Sequence, residues 1–173
     1  TKVLNQSNID TVKVSCYIQL GSEYKSNEPE KAKAFVDKSL ELSQKINYKK
    51  GLANSYHLLG MIHSNISNND KAMEYYMLSL KINEERGDKK AMSTSYNNIG
   101  SIYFREGNYE KALKYYLISL EIDEVLNEQK GMASSYNNVG LIYWAQSNFD
   151  KAQNYFQKAV TIYALMNDKK GLG

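Results

Sequence analysis

Asn97 and Asn98 sit in the stretch SYNNIG, Ser95 to Gly100, and return as Asn137 and Asn138 in SYNNVG, Ser135 to Gly140. An asparagine amide offers both a donor and an acceptor, which matches the C=O and N–H of an extended peptide. Other side chains able to do chemistry are sparse. His57 and His63 are the only histidines. Six positions apart, they point to different helix faces and make no zinc pair. His63 also stands where sibling stretches carry Tyr103 and Tyr143, which predicts core contact rather than ligation. Cys16, the sole cysteine, has no matched base and no disulfide partner. Glycines fall inside or at the ends of helices, not in a phosphate loop. Carboxylates fall mainly on outer faces and in links such as NEERGD. The residue set predicts binding through amides and no catalytic, metal or cofactor site.

The totals allow this reading. The chain has 173 residues, 42% apolar and 24% charged, with a net charge of +3 and a single proline. That is the balance of a folded domain, and so little proline favours helices over a turn-rich β fold. The small net charge supports neither nucleic acid nor an acidic membrane as partner. No apolar run approaches the roughly 18 residues of a membrane span.

The amide pairs belong to a repeat. Lys71-Ala72, Lys111-Ala112 and Lys151-Ala152 are spaced by 40, as are Gly60, Gly100 and Gly140, and Tyr56, Tyr96 and Tyr136. Lys31-Ala32 falls in the same register, whereas Tyr17, Leu20, Gly21 and Tyr24 are displaced by one, the link KSNEPEK being a residue shorter. Within a unit Tyr96, Ile99, Gly100 and Tyr103 follow the i, i+3, i+4, i+7 spacing of a helix face, as do Ala112, Tyr116, Ser119 and Leu120. Asn68, Asn108 and Asn148 are placed as N-caps, and Glu28-Pro29 takes that place in the first unit. Asn47, Gly87, Asn127 and Asn167 follow the second helices, where a left-handed residue ends a helix. Each unit is thus a helix hairpin that must stack on its neighbours to bury its apolar faces. The glycines allow close helix approach, and the tyrosines belong to the core.

The pattern resembles the tetratricopeptide repeat family. Its aromatic-x-x-Leu-Gly-x-x-Tyr and later Ala-x-x-x-Phe signature appears as Tyr136, Val139, Gly140, Tyr143, Ala152, Phe156 and Ala159. It appears again as Tyr96, Ile99, Gly100, Tyr103, Ala112 and Tyr116, and as Tyr56, Leu59, Gly60, His63, Ala72 and Tyr76. There are two departures. The period is 40 instead of the common 34, and Glu84, Glu124 and Ala164 stand where the family has proline. The resemblance implies an all-α fold, a right-handed superhelix of four helix hairpins with the start of a fifth. It makes residues 1–173 one domain, with repeats near 10–47, 48–87, 88–127 and 128–167, and 168–173 opening another helix. The uncapped flank of the last helix, near Phe156, Val160 and Tyr163, is expected to be exposed and to invite self-association.

In that family the first helix of each unit lines the inner wall and holds peptides or partner helices. Asn97 and Asn98 lie roughly 100° and 200° around the helix from Tyr96, off the packing side. The matching positions are Asn54, His57, Leu58, Met61 and Asn65, then Thr94, Asn97, Asn98, Ser101 and Arg105. The fourth unit adds Ser134, Asn137, Asn138, Leu141 and Trp144. Asparagines would grip a backbone, with Met61, Leu141 and Trp144 supplying apolar pockets. The implied function is a protein–protein interaction module whose partner is a protein or peptide, not nucleic acid or a membrane. Repeats rich in Asn and Tyr are similar to the N-terminal sensing regions of bacterial signalling proteins, so the segment is cytoplasmic or, within a membrane-bound sensor, periplasmic. A self-assembling scaffold is the alternative. A helical-repeat RNA reader fits less well, because the expected inner face is mostly neutral, with Arg105 its main charge.

Overall fold

The computed structural model describes the backbone of residues 2–171 and the side chains of residues 9–166. Among these residues the fold is all-α: α1 (Lys2–Tyr24), α2 (Pro29–Lys45), α3 (Lys49–Asn65), α4 (Asn69–Arg86), α5 (Lys89–Arg105), α6 (Tyr109–Leu126), α7 (Gln129–Ala145) and α8 (Phe149–Gly171). They form two compact units, Thr1–Asp88 and Lys89–Gly173. In each, two antiparallel hairpins pack so that the first helices of the hairpins, α1 with α3 and α5 with α7, also touch.

Sequence sets the limits of the helices. Asn68, Asn108 and Asn148 accept the amides of Lys71, Lys111 and Lys151 at 3.2, 3.2 and 3.3 Å, satisfying amides that have no partner inside the helix. Pro29 opens α2, where its missing N–H costs nothing. Asn47, Gly87 and Asn127 are left-handed, with φ of 52°, 64° and 53°. After α4 the Gly87 and Asp88 amides return to the carbonyls of Glu84 and Asn83, closing the last turn. A second left-handed residue, Ser67, Gly107 or Ser147, turns each of three hairpins. No break occurs at Asn167, because α8 continues to Gly171. The side chains of the expected fifth-helix stretch 168–173 lie outside the described residues.

The signature residues make the core. In unit 1, Ala32, Val36, Leu58, Leu59 and Ile62 are buried together. In unit 2, Ala112, Tyr116, Val139 and Ile142 do the same. Gly100 has its reason here: a Cβ on it would stand 2.8 Å from the Tyr116 ring, so only glycine lets that ring lie on α5. The half-buried tyrosines stack beside it, Tyr96 on Tyr115 at 6.1 Å and Tyr103 on Tyr115 at 5.5 Å. His63 is buried and stacks on Tyr75 at 5.4 Å, the core role expected of it.

Along α8 the apolar flank is open. Val160 is 57% and Tyr163 43% exposed, whereas their register equivalents in α6, Leu120 and Asp123, are buried at 7% and 4%.

Candidate peptide-binding face

The expected contact residues divide between the units. In unit 1, Leu58 is a core residue and Met61 packs against the same cluster. The resemblance places both on an open wall; Leu58 is drawn into the hairpin interior, whereas Met61 stays half-buried. His57 leans on Tyr76 with ring centroids 5.5 Å apart, and burial holds its imidazole down to about 4. Asn54 is half-buried, and the exposed Asn65 donates to the Lys25 carbonyl at 3.4 Å.

Unit 2 keeps more of its residues in reach of solvent. Thr94, Arg105, Asn137, Leu141 and Trp144 are exposed, and Asn97, Asn98, Ser101, Ser134 and Asn138 are half-buried. Asn137, Leu141 and Trp144 follow i, i+4, i+7 and so share one face of α7. Trp144 is 60% and Leu141 36% exposed. Across from them on α5, Ser101 is engaged twice: it donates to the Asn97 carbonyl at 3.0 Å and accepts from the Tyr116 hydroxyl at 3.1 Å.

The asparagines are not equally free. Asn138 Nδ2 donates to Asn97 Oδ1 at 3.1 Å, and Asn97 Nδ2 donates to Ser135 Oγ at 3.2 Å. Asn97 is therefore engaged through both its oxygen and its nitrogen between α5 and α7, and Asn138 through one N–H, each amide nitrogen keeping a second N–H. A ladder of fully available amides is not what the fold delivers. Asn137 and the Asn138 oxygen remain open, beside the exposed Leu141 and Trp144.

Sequence reasoning put carboxylates outside and so passed over Asp123, which is 4% exposed. Burial pushes its carboxyl up. Hydrogen bonds from Ser93 and Ser119 and the charge of Lys90 oppose that rise, and Glu128 adds to it. Its signal lay in the register: positions 43, 83 and 123 are Ser, Asn and Asp, polar on a buried stripe. A hollow of about 600 Å³ runs along α4, lined by Glu74, Met77, Leu78, Leu80, Lys81 and Glu84. None of these is an expected contact residue. Among the described residues no cluster of His, Cys, Asp or Glu could hold a metal ion, and no helix is long and apolar enough to cross a membrane.

Two family models, both described as tetratricopeptide repeat, match residues 53–86 and 91–164. The chain belongs to the tetratricopeptide repeat family. As a tetratricopeptide chain it is a protein-interaction repeat module. It is similar to Tetratricopeptide repeat protein 29 of Trypanosoma brucei brucei, 32% identical over 62 residues, which are 36% of this chain and 13% of that protein. Among solved structures it is similar to the Signal Transduction ATPase with Numerous Domains protein with a tetratricopeptide repeat sensor from Pyrococcus horikoshii. That match has a TM-score of 0.78 at 24% identity and covers 93% of this chain and 25% of the other. A Rap protein complexed with competence and sporulation factor superposes with a TM-score of 0.82 at 16% identity, covering 91% and 44% of the two chains. The chain thus spans less than half of each of these three proteins, and at these identities the two structural likenesses establish the tetratricopeptide fold alone.

Proposed function

We propose that this tetratricopeptide segment binds a peptide or partner helix on the α5–α7 face of unit 2. The carrying observation is an exposed Trp144 in line with Leu141 and Asn137 on α7, next to the Asn97–Asn138 pair. An aromatic anchor beside open amide groups suits recognition of a peptide backbone together with an apolar side chain. Leu141 and Trp144 would supply apolar contact, while Asn137 and the Asn138 oxygen would meet backbone groups. Asn98, Thr94 and Arg105 border the same face.

We further propose that the segment is the sensing or regulatory part of a larger signalling protein. Tetratricopeptide repeats serve as the sensor of a signal transduction ATPase, and a similar fold occurs in a Rap protein complexed with competence and sporulation factor. The exposed flank of α8 supports self-association as a second mode of contact.

Panning a displayed library of random peptides against the chain tests the binding proposal. Captured peptides are expected to lose affinity by about 1–3 kcal/mol with Trp144→Ala and about 0.5–1.5 kcal/mol with Asn137→Ala. Neither side chain is buried, so melting temperature should barely change. Peptides that bind both variants at full strength would exclude this face.

A further inference from the structure

In three hairpins a lysine, a ring of the first helix and a ring of the second form a sandwich. Lys31 Nζ lies 3.7 Å from the centre of the Tyr24 ring, which stacks on Phe35 at 5.9 Å. Lys111 Nζ lies 5.1 Å from Tyr103, stacked on Tyr115 at 5.5 Å. Lys151 Nζ lies 5.2 Å from Tyr143, stacked on Tyr155 at 5.4 Å. A tyrosine face attracts the cation through its ring quadrupole, whether the solution is acid or neutral. The α3–α4 hairpin keeps the stack, His63 on Tyr75 at 5.4 Å, and keeps the lysine of the same register, Lys71. Its middle ring, however, can itself become a cation.

The surroundings of His63 suit the neutral form. The residue is 8% exposed, and its Nδ1 is buried with no hydrogen-bond partner among the described residues. A neutral imidazole leaves one nitrogen bare, but an imidazolium carries an N–H on both. Protonation would therefore bury a donor with nothing to bond to. The charged groups facing the ring are Lys71 and Glu74 on α4, and Lys33 and Glu30 on α2. Burial opposes the charged form most, and Lys71 and Lys33 add to it. Glu30 and Glu74 pull the other way without prevailing, so the ring is held below the usual histidine range.

We propose that His63 is an acid-operated release in unit 1: protonation of its buried ring loosens the α3–α4 hairpin and leaves unit 2 folded. A base whose folded value lies below its unfolded value, about 6.5, contributes stability above 6.5 and loses it as pH falls toward the folded value. His57, on the same helix, leans on Tyr76 and is held down by burial to about 4, so it works in the same direction. Both histidines of the chain thus belong to unit 1, and unit 2 has none. Burial moves Asp123 of unit 2 the other way, so acid discharges that buried group instead of charging it. In repeat folds each hairpin brings its own stability, so one can open without the rest. Acid would then remove order from one unit while the α5–α7 face stays in place. No ligand is involved, and the release does not rest on the peptide-binding reading.

The test follows amide hydrogen exchange along the whole chain from pH 7 to 5, each amide referred to the open-chain rate at that pH. His57→Phe leaves His63 as the single histidine. In that variant the protection of α3 and α4 should fall by up to about tenfold per pH unit below 6.5, the limit for uptake of one proton, while α5–α7 hold theirs. Adding His63→Tyr rebuilds the sandwich of the other hairpins and should abolish the fall. Constant protection of α3 and α4 in His57→Phe, or a fall that His63→Tyr leaves unaltered, overturns the proposal. Equal loss in both units does so too. If His57→Phe does not fold, His63→Tyr is compared with the wild type and must make the fall shallower; the same slope in both overturns the proposal. Proton resonances of the wild-type rings give a further reading, in which His63 should titrate below the usual histidine range. Titration of His63 at about 6.5 with α3 and α4 still protected would overturn it.

Discussion

Gly131 lies with its backbone against the Asp123 carboxylate, so that a Cβ added to it would fall inside contact distance of both carboxylate oxygens. The carboxylate has little room to retreat, because Asp123 is only 4% exposed. Gly131→Ala gains up to about 1 kcal/mol of helix propensity, but overpacking a buried site costs about 1–3 kcal/mol. A net loss of stability is expected in urea titration. The cost should largely disappear when Asp123→Ala is made as well; an equal cost in both backgrounds would show that the carboxylate is not the obstacle.

Asp123 and His57 should give opposite responses to pH. The folded-state value of Asp123 is raised by burial, so its contribution is fully present below the ordinary aspartate value and is lost as pH climbs through the raised one. Asp123→Asn removes that titration, so its stability relative to wild type should increase from acid toward neutral pH. The folded-state value of His57 is lowered to about 4. Its contribution is present above the unfolded value near 6.5 and is lost as pH falls toward 4, a change on the order of 2–3 kcal/mol. His57→Phe should flatten the acid limb of the stability profile. Urea midpoints collected from pH 4 to 7 would expose either error in sign.

Asn108→Ala deletes the acceptor for the Lys111 amide at the start of α6. About 1 kcal/mol of stability should be lost, the usual cost of an N-cap. Asn108→Ser should restore most of it, since serine also accepts there. A similar loss with serine would mean that the amide is used for something other than capping.

Self-association through α8 predicts a concentration-dependent mass in sedimentation. Val160→Asp places a charge in the exposed apolar stripe and should leave a monomer with an unchanged melting temperature, because the side chain is already 57% exposed. A wild-type chain that stays monomeric up to the highest accessible concentrations would count against this contact.

Much of the architecture was legible because it follows from local and periodic rules. Asn68, Asn108 and Asn148 cap helices by bonding to amides three residues away. Gly100 recurs with Tyr116 because one side chain must fit where the other residue has none. Such relations return every 40 residues and are visible without coordinates. The contact face was legible only in outline. The resemblance placed Leu58 on an open wall, yet burial of apolar area drew it inward. It treated the asparagines as equivalent, yet Asn97 is held through its oxygen and its nitrogen by Asn138 and Ser135, whereas Asn137 is exposed.

By itself the sequence determined helix type, repeat length, caps and the tetratricopeptide signature, since each depends on residues a few positions apart or on a pattern copied along the chain. Only the tertiary structure decided which polar groups remain available. Asn138 meets Asn97 from 41 positions away, and Asp123 is buried by α7 packing over α6. Hydrogen-bonding capacity is exhausted by whatever lies within about 3 Å, and no periodicity in the chain records that neighbourhood.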